Sequence, residues 1–128
     1  MRKWSLYTLA FGTFGLGMAE FGMMSILSEA AKELQISIPD AGHFISAYAL
    51  GVCFGAIALV FFAKGHSLKS LLIGLVLVMC FGNMLAAVAP NYGFMVLARF
   101  ISGLPHGGYF GVAGIMAKRL ASKRKQVQ

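Results

Sequence analysis

The chain alternates long apolar stretches with short polar ones, and that spacing is its dominant pattern. Four stretches, residues 4–26, 42–63, 71–89 and 92–117, are long enough to cross the hydrocarbon layer as α-helices. About 20 apolar residues suffice for the roughly 30 Å involved. The connections between them are short, so consecutive helices are expected to lie antiparallel and adjacent. Trp4, Tyr7 and Tyr92 fall near span ends, where amphipathic rings favour the headgroup region. The longest connection, residues 28–41, leaves room for a short amphipathic turn before Pro39.

Small residues recur at four-residue spacing in two of the spans. Ala47, Gly51 and Gly55 form one row, and Gly103, Gly107 and Gly111 form another. Such rows let helix backbones approach closely, either to pack or to slide past one another. Gly12, Gly15 and Gly17 have the look of a nucleotide-binding loop. No strand precedes them and no phosphate fits at that depth, so that reading fails.

Composition agrees with the pattern. Hydrophobic residues make up 59% and charged ones 12%, against about 25% charged in a soluble domain. Sixteen glycines beside three prolines suit closely packed membrane helices. Lipid is the expected partner of so apolar a surface. The net charge of +7 does not indicate a nucleic-acid partner, because the basic residues sit in short blocks between the apolar stretches. Met1-Arg2-Lys3 and the run behind it resemble a secretory leader. The run reaches Ile26, beyond the 7–15 residues or so of a leader's apolar region, and is read as a span. Cys53 and Cys80 lie in apolar stretches without CxxC spacing, so they are expected as buried structural thiols, with neither a metal site nor a disulfide.

Orientation follows from the basic residues. With the N-terminus inside, the cytoplasmic side carries nine: Arg2, Lys3, Lys64, Lys69, Lys118, Arg119, Lys123, Arg124 and Lys125. The outer loops carry only Lys32, while Glu29, Glu33 and Asp40 lie in the first of them. Both termini are therefore expected in the cytoplasm, with residues 118–128 as a basic tail.

Ionisable groups inside the spans are costly, a charge at mid-helix about 2.5–3.5 kcal/mol on insertion scales, and they mark function by default. Here they are Glu20, Arg99 and the titratable His106, with Asn83 and Tyr48 as polar neighbours. Glu20 and Arg99 each lie about seven residues, roughly 10 Å, from the outer ends of their spans. Tyr48 and Asn83 sit at similar depth, giving one polar layer on four helices. His106 follows one seven-residue step further in, on the face of Arg99, with Gly103 between them and Pro105 expected to loosen the backbone. Two readings stay open. Glu20 and Arg99 neutralise each other with Asn83 and Tyr48 as interhelical glue, or all line a water-filled path for substrate and proton. No HExxH, GxSxG or P-loop is present, so neither an enzyme nor a metal site is expected.

The segments Phe11–Phe21, Ala41–Gly51 and Ala98–Gly107 resemble the major facilitator superfamily, and within it the drug:proton antiporters akin to arabinose-efflux permeases. The resemblance implies an all-α membrane protein whose four transmembrane helices form an incomplete N-terminal bundle, residues 1–128 being part of one transmembrane domain. It matches Arg99 and Gly103 to the family's fourth-helix motif, whose arginine is associated with proton coupling, and Glu20 to an acidic first-helix position. The loop Phe61–Lys69 keeps the basic residues of the family's Gly–Asp–Arg/Lys signature but has no aspartate. The family uses twelve spans, so a truncated efflux transporter of drugs or sugars is expected. It would be driven by the proton gradient without a cofactor, in the bacterial inner membrane, and would lack its remaining helices. The alternatives are a homodimeric four-helix multidrug exporter and a non-transporting membrane fragment.

Overall fold

The computed structural model describes residues 2–125 and the side chains of 4–122. Residues 126–128 of the basic tail lie outside it, as do the basic side chains at 2, 3 and 123–125. The described residues form five helices: α1 (Arg2–Ser25), α2 (Leu27–Glu33), α3 (Ile38–Phe62), α4 (Leu68–Ala87) and α5 (Tyr92–Lys125).

Local chemistry sets the boundaries. The chain bends by 62° between α1 and α2, and α2 is the short amphipathic element expected before Pro39. It buries Ala30 and Ala31 and exposes Glu29, Lys32 and Glu33. The Ser28 hydroxyl donates to the Glu29 carboxylate at 2.8 Å and holds that carboxyl below its ordinary pKa. α3 begins four residues before the expected position 42, because Pro39 belongs to its first turn. A proline's fixed φ suits that place, where its missing N–H costs nothing. The Ser37 hydroxyl caps the helix by accepting from the Asp40 amide at 3.1 Å. Ser67 caps α4 in the same way through the Ser70 amide at 3.1 Å. The α3–α4 turn uses Gly65 at φ +80, where a side chain would be strained. α5 continues past 117 to Lys125 through good helix formers. Pro105 lies inside it without interrupting it.

The packing order differs from the expected chain of neighbours. α3 and α4 scarcely touch; α5 lies between them and makes the most extensive contacts with both. The reason is the small-residue surface of α5. A Cβ added at Gly103 would collide with the Tyr48 carbonyl, and one at Gly107 with the Val52 carbonyl. From the other side, Cβ atoms at Gly51 and Gly55 would collide with the carbonyls of Phe100 and Leu104. α3 and α5 run parallel along this seam. On the opposite face of α5, Gly82 of α4 lies against Ser102. Gly111 is the exception in its row, since a Cβ there would meet open space.

α1 is held more lightly, by Leu16 packed with Leu72, Tyr109, Val112 and Ala113. A second cluster joins Met23, Ala30, Ala31, Ala41, Phe44 and Met95 at the end of the bundle that carries α2. α3 and α4 are each long and apolar enough to cross a membrane, and α1 qualifies when taken with α2. α5 falls short on apolarity because Arg99, His106 and its glycines dilute it. At 34 residues, about 51 Å, it runs alongside both α3 and α4. Cys53 and Cys80 are exposed rather than buried. In a membrane protein an apolar stretch faces lipid as well as neighbours, so apolarity alone did not place them inside.

Candidate functional site

The polar residues of α1, α3 and α5 close into a ring. On α5, Arg99 and His106 stand two turns apart on one face, with Gly103 between them. Tyr48 of α3 crosses above that glycine and reaches both. Its ring lies 4.4 Å under the Arg99 guanidinium carbon, and its hydroxyl is 2.9 Å from His106 Nδ1. A cation over an aromatic face is attracted by the ring quadrupole. His106 Nε2 then faces the Glu20 carboxylate of α1 at 3.9 Å. Arg99 Nη1 completes the circuit by donating to the carbonyl of Ala19, the residue before Glu20, at 3.0 Å.

Exposure grades around the ring. Arg99 and Tyr48 are each 2% accessible, whereas the side chains of His106 and Glu20 are 14% and 37% accessible. The carboxylate is therefore the member that meets the surroundings, and the arginine is the member locked inside. Arg99 Nε has no hydrogen-bond partner among the described residues. Phe110 covers another side of His106, with ring centroids 5.1 Å apart.

Two expectations need correction. Glu20 and Arg99 do not come within ion-pair distance; the Glu20 carboxylate instead lies 3.9 Å from His106 Nε2, and Arg99 reaches α1 through the Ala19 backbone. Equal depth put the two charges in one layer, but the direction each points decides the pairing. Asn83 does not act as interhelical glue, because its amide donates to Met79 of its own helix at 2.8 Å. Tyr48 does bridge two helices, α3 and α5.

Sequence reasoning missed the Ala19 carbonyl, which no side-chain pattern reveals. It also missed Tyr109, whose hydroxyl donates to the Leu9 carbonyl at 3.3 Å while its ring rests where Gly12 has no side chain. The glycine at 12 opposite an aromatic on α5 was the available signal. Two recesses, of about 430 and 790 Å³, lie towards the other end, around Lys69 and Leu120, and no ring residue lines them.

Comparison with known proteins gives this arrangement its context. AraJ of Escherichia coli K12 is 45% identical over 120 residues, covering 94% of this chain and 30% of that protein. The inner membrane transport protein YdhP of the same organism is 39% identical, covering 97% of this chain and 32% of its own length. A protein of Haemophilus influenzae (strain ATCC 51907 / DSM 11121 / KW20 / Rd) named "Probable sugar efflux transporter" is 25% identical, over 100% of this chain and 32% of its own. The chain thus spans about a third of the length of these relatives. No solved structure matches it. Residues 9–128 match the Major Facilitator Superfamily, and the chain belongs to that family of membrane transporters.

Proposed function

We propose that these helices serve a proton-coupled efflux transporter of small molecules, drugs or sugars, and that the Glu20–His106 pair with Tyr48 and Arg99 handles its proton. One observation carries the reading: a part-exposed carboxylate faces an imidazole at 3.9 Å beside a buried arginine. Proton affinity at such a carboxylate depends on how near its cationic neighbours stand. The three groups sit on two helices, so a shift of α1 against α5 changes that distance and with it the proton's hold. The name of the Haemophilus influenzae relative supports efflux and a sugar as one substrate class.

The membrane is the bacterial inner membrane in this reading, with Lys64–Lys69 and the tail on its cytoplasmic side, a placement supported by the excess of basic residues there. Alternating access works by two bundles rocking about a shared midplane site. These helices give one wall of the path; the opposing wall comes from further helices, such as the relatives' remaining length would hold, or from self-association.

Inverted membrane vesicles in which the chain sits together with the helices that supply the opposing wall test the reading. Adding a transported drug or sugar to energised vesicles should release protons, and Glu20→Gln should abolish that release. Proton release that persists in Glu20→Gln would remove the carboxylate from the coupling step. The purified 128-residue chain in proteoliposomes should show no gradient-driven flux. Flux there that disappears with Glu20→Gln favours a homodimeric exporter instead.

A further inference from the structure

The ring contains a group whose protonation pattern the geometry fixes from both sides. A neutral imidazole carries its proton on one nitrogen and a lone pair on the other, and the neighbours of each nitrogen decide which. His106 Nε2 points at the Glu20 carboxylate at 3.9 Å. An N–H there is attracted by the carboxylate, and a lone pair is repelled. His106 Nδ1 points at the Tyr48 hydroxyl at 2.9 Å. That hydroxyl could donate or accept, but the Arg99 guanidinium lies 4.4 Å over its ring. A cation on the ring face draws electron density from the oxygen, making it a better donor and a poorer acceptor. Both ends of the imidazole therefore select the same form. The fourth neighbour, Phe110, presents a ring and no competing polar atom.

We infer that Tyr48 is a positioning residue that holds His106 in the tautomer with Nε2 protonated, so that an N–H donor always faces Glu20. Arg99 acts in this through the Tyr48 ring rather than by pairing with Glu20. The functional meaning depends on the proton-handling proposal above, but the tautomer itself does not. The arrangement keeps an N–H facing the Glu20 carboxylate across 3.9 Å. It also explains why an aromatic with a hydroxyl, rather than phenylalanine, crosses Gly103: the close backbone approach there aims the hydroxyl at Nδ1.

The test is nitrogen-15 NMR of the full chain, labelled at histidine and held in lipid nanodiscs. His43→Asn and His66→Asn assign the His106 signals. At about pH 9, well above the ordinary histidine pKa of about 6.5, wild-type His106 should show a protonated Nε2 and a pyridine-type Nδ1 as a single tautomer. Tyr48→Phe should turn this into a mixture of both tautomers, and Arg99→Gln should move it part of the way. A wild-type His106 protonated on Nδ1 overturns the inference whether or not any variant folds. So does an unchanged single tautomer in a folded Tyr48→Phe chain. A correct tautomer combined with proton release that survives Glu20→Gln would instead sink the transport proposal and leave the positioning role standing.

Discussion

The α3–α5 seam and the attachment of α1 are built on opposite principles. Along the seam, backbone meets backbone: Gly51, Gly55, Gly103 and Gly107 each stand where a Cβ would strike a carbonyl of the facing helix. α1 has glycines as well, yet Gly17 and Gly22 face open space, and only Gly12 stands where a Cβ would collide, there with the flexible end of Tyr109. Its large side chains, Trp4, Tyr7, Phe11, Phe14 and Phe21, point outward. Close backbone contact leaves little freedom to adjust, because neither surface has a rotamer to change. Side-chain contact can be remade. The ring spans both regimes: Tyr48, Arg99 and His106 belong to the stiff pair, while Glu20 arrives on the helix that can move.

The comparison predicts how the same change behaves in the two places. Gly55→Leu should separate α3 from α5 and leave no stable fold in detergent or lipid, seen as lost monodispersity and a collapsed melting transition. Gly55→Ala should cost about 1–3 kcal/mol or more, the usual range for overpacking. Gly12→Ala presses on the Tyr109 ring, which can rotate away, so its loss should be distinctly smaller in the same melting assay. Equal losses at 12 and 55 would erase the distinction between the two regions. A double-mutant cycle of Glu20→Gln with His106→Gln should show a coupling of at least about 0.5 kcal/mol, as for residues in contact. The cycle with Arg99→Gln should show less, and the reverse ranking would restore the Glu20–Arg99 pair expected from depth. At the small end, Gly111→Ala should be neutral or stabilising by up to about 1 kcal/mol, since alanine is the better helix former. Cys53→Ala and Cys80→Ala should each stay within about 0.5 kcal/mol.

The long helices were legible because the bilayer demands uninterrupted apolar runs, and α2 was legible from its charged face. Neighbours were not. Adjacency was inferred from loop length, which constrains sequence neighbours only to within reach and let α5 enter between α3 and α4. The rows of small residues pointed to close packing but not to its extent, as Gly111 shows by facing open space. In a soluble helix, polar residues mark the outward face. Here outward faces are apolar too, so nothing in the sequence around Cys53 or Cys80 told inside from outside. The ring residues were readable one by one, since each is costly in lipid. Their pairing required azimuth as well as depth, which is why Glu20 turned out to face His106.

The 62° bend after Ser25 has a mechanical consequence. α2 is packed onto α3 through Ala30 and Ala31, which anchors one end of α1 while the rest is held by side chains. α1 is then a lever with its fulcrum beside Ser25. Glu20 rides a short arm of about 8 Å and Leu9 a long one of about 24 Å, at 1.5 Å per residue. A tilt of about 5° moves Glu20 by under 1 Å but Leu9 by about 2 Å on those arms. The Tyr109–Leu9 hydrogen bond, already 3.3 Å long, would part before the carboxylate left its histidine. Tyr109 is the latch at the far end of the beam, and the ionisable pair sits near the pivot, where gross motion arrives reduced to a fine adjustment.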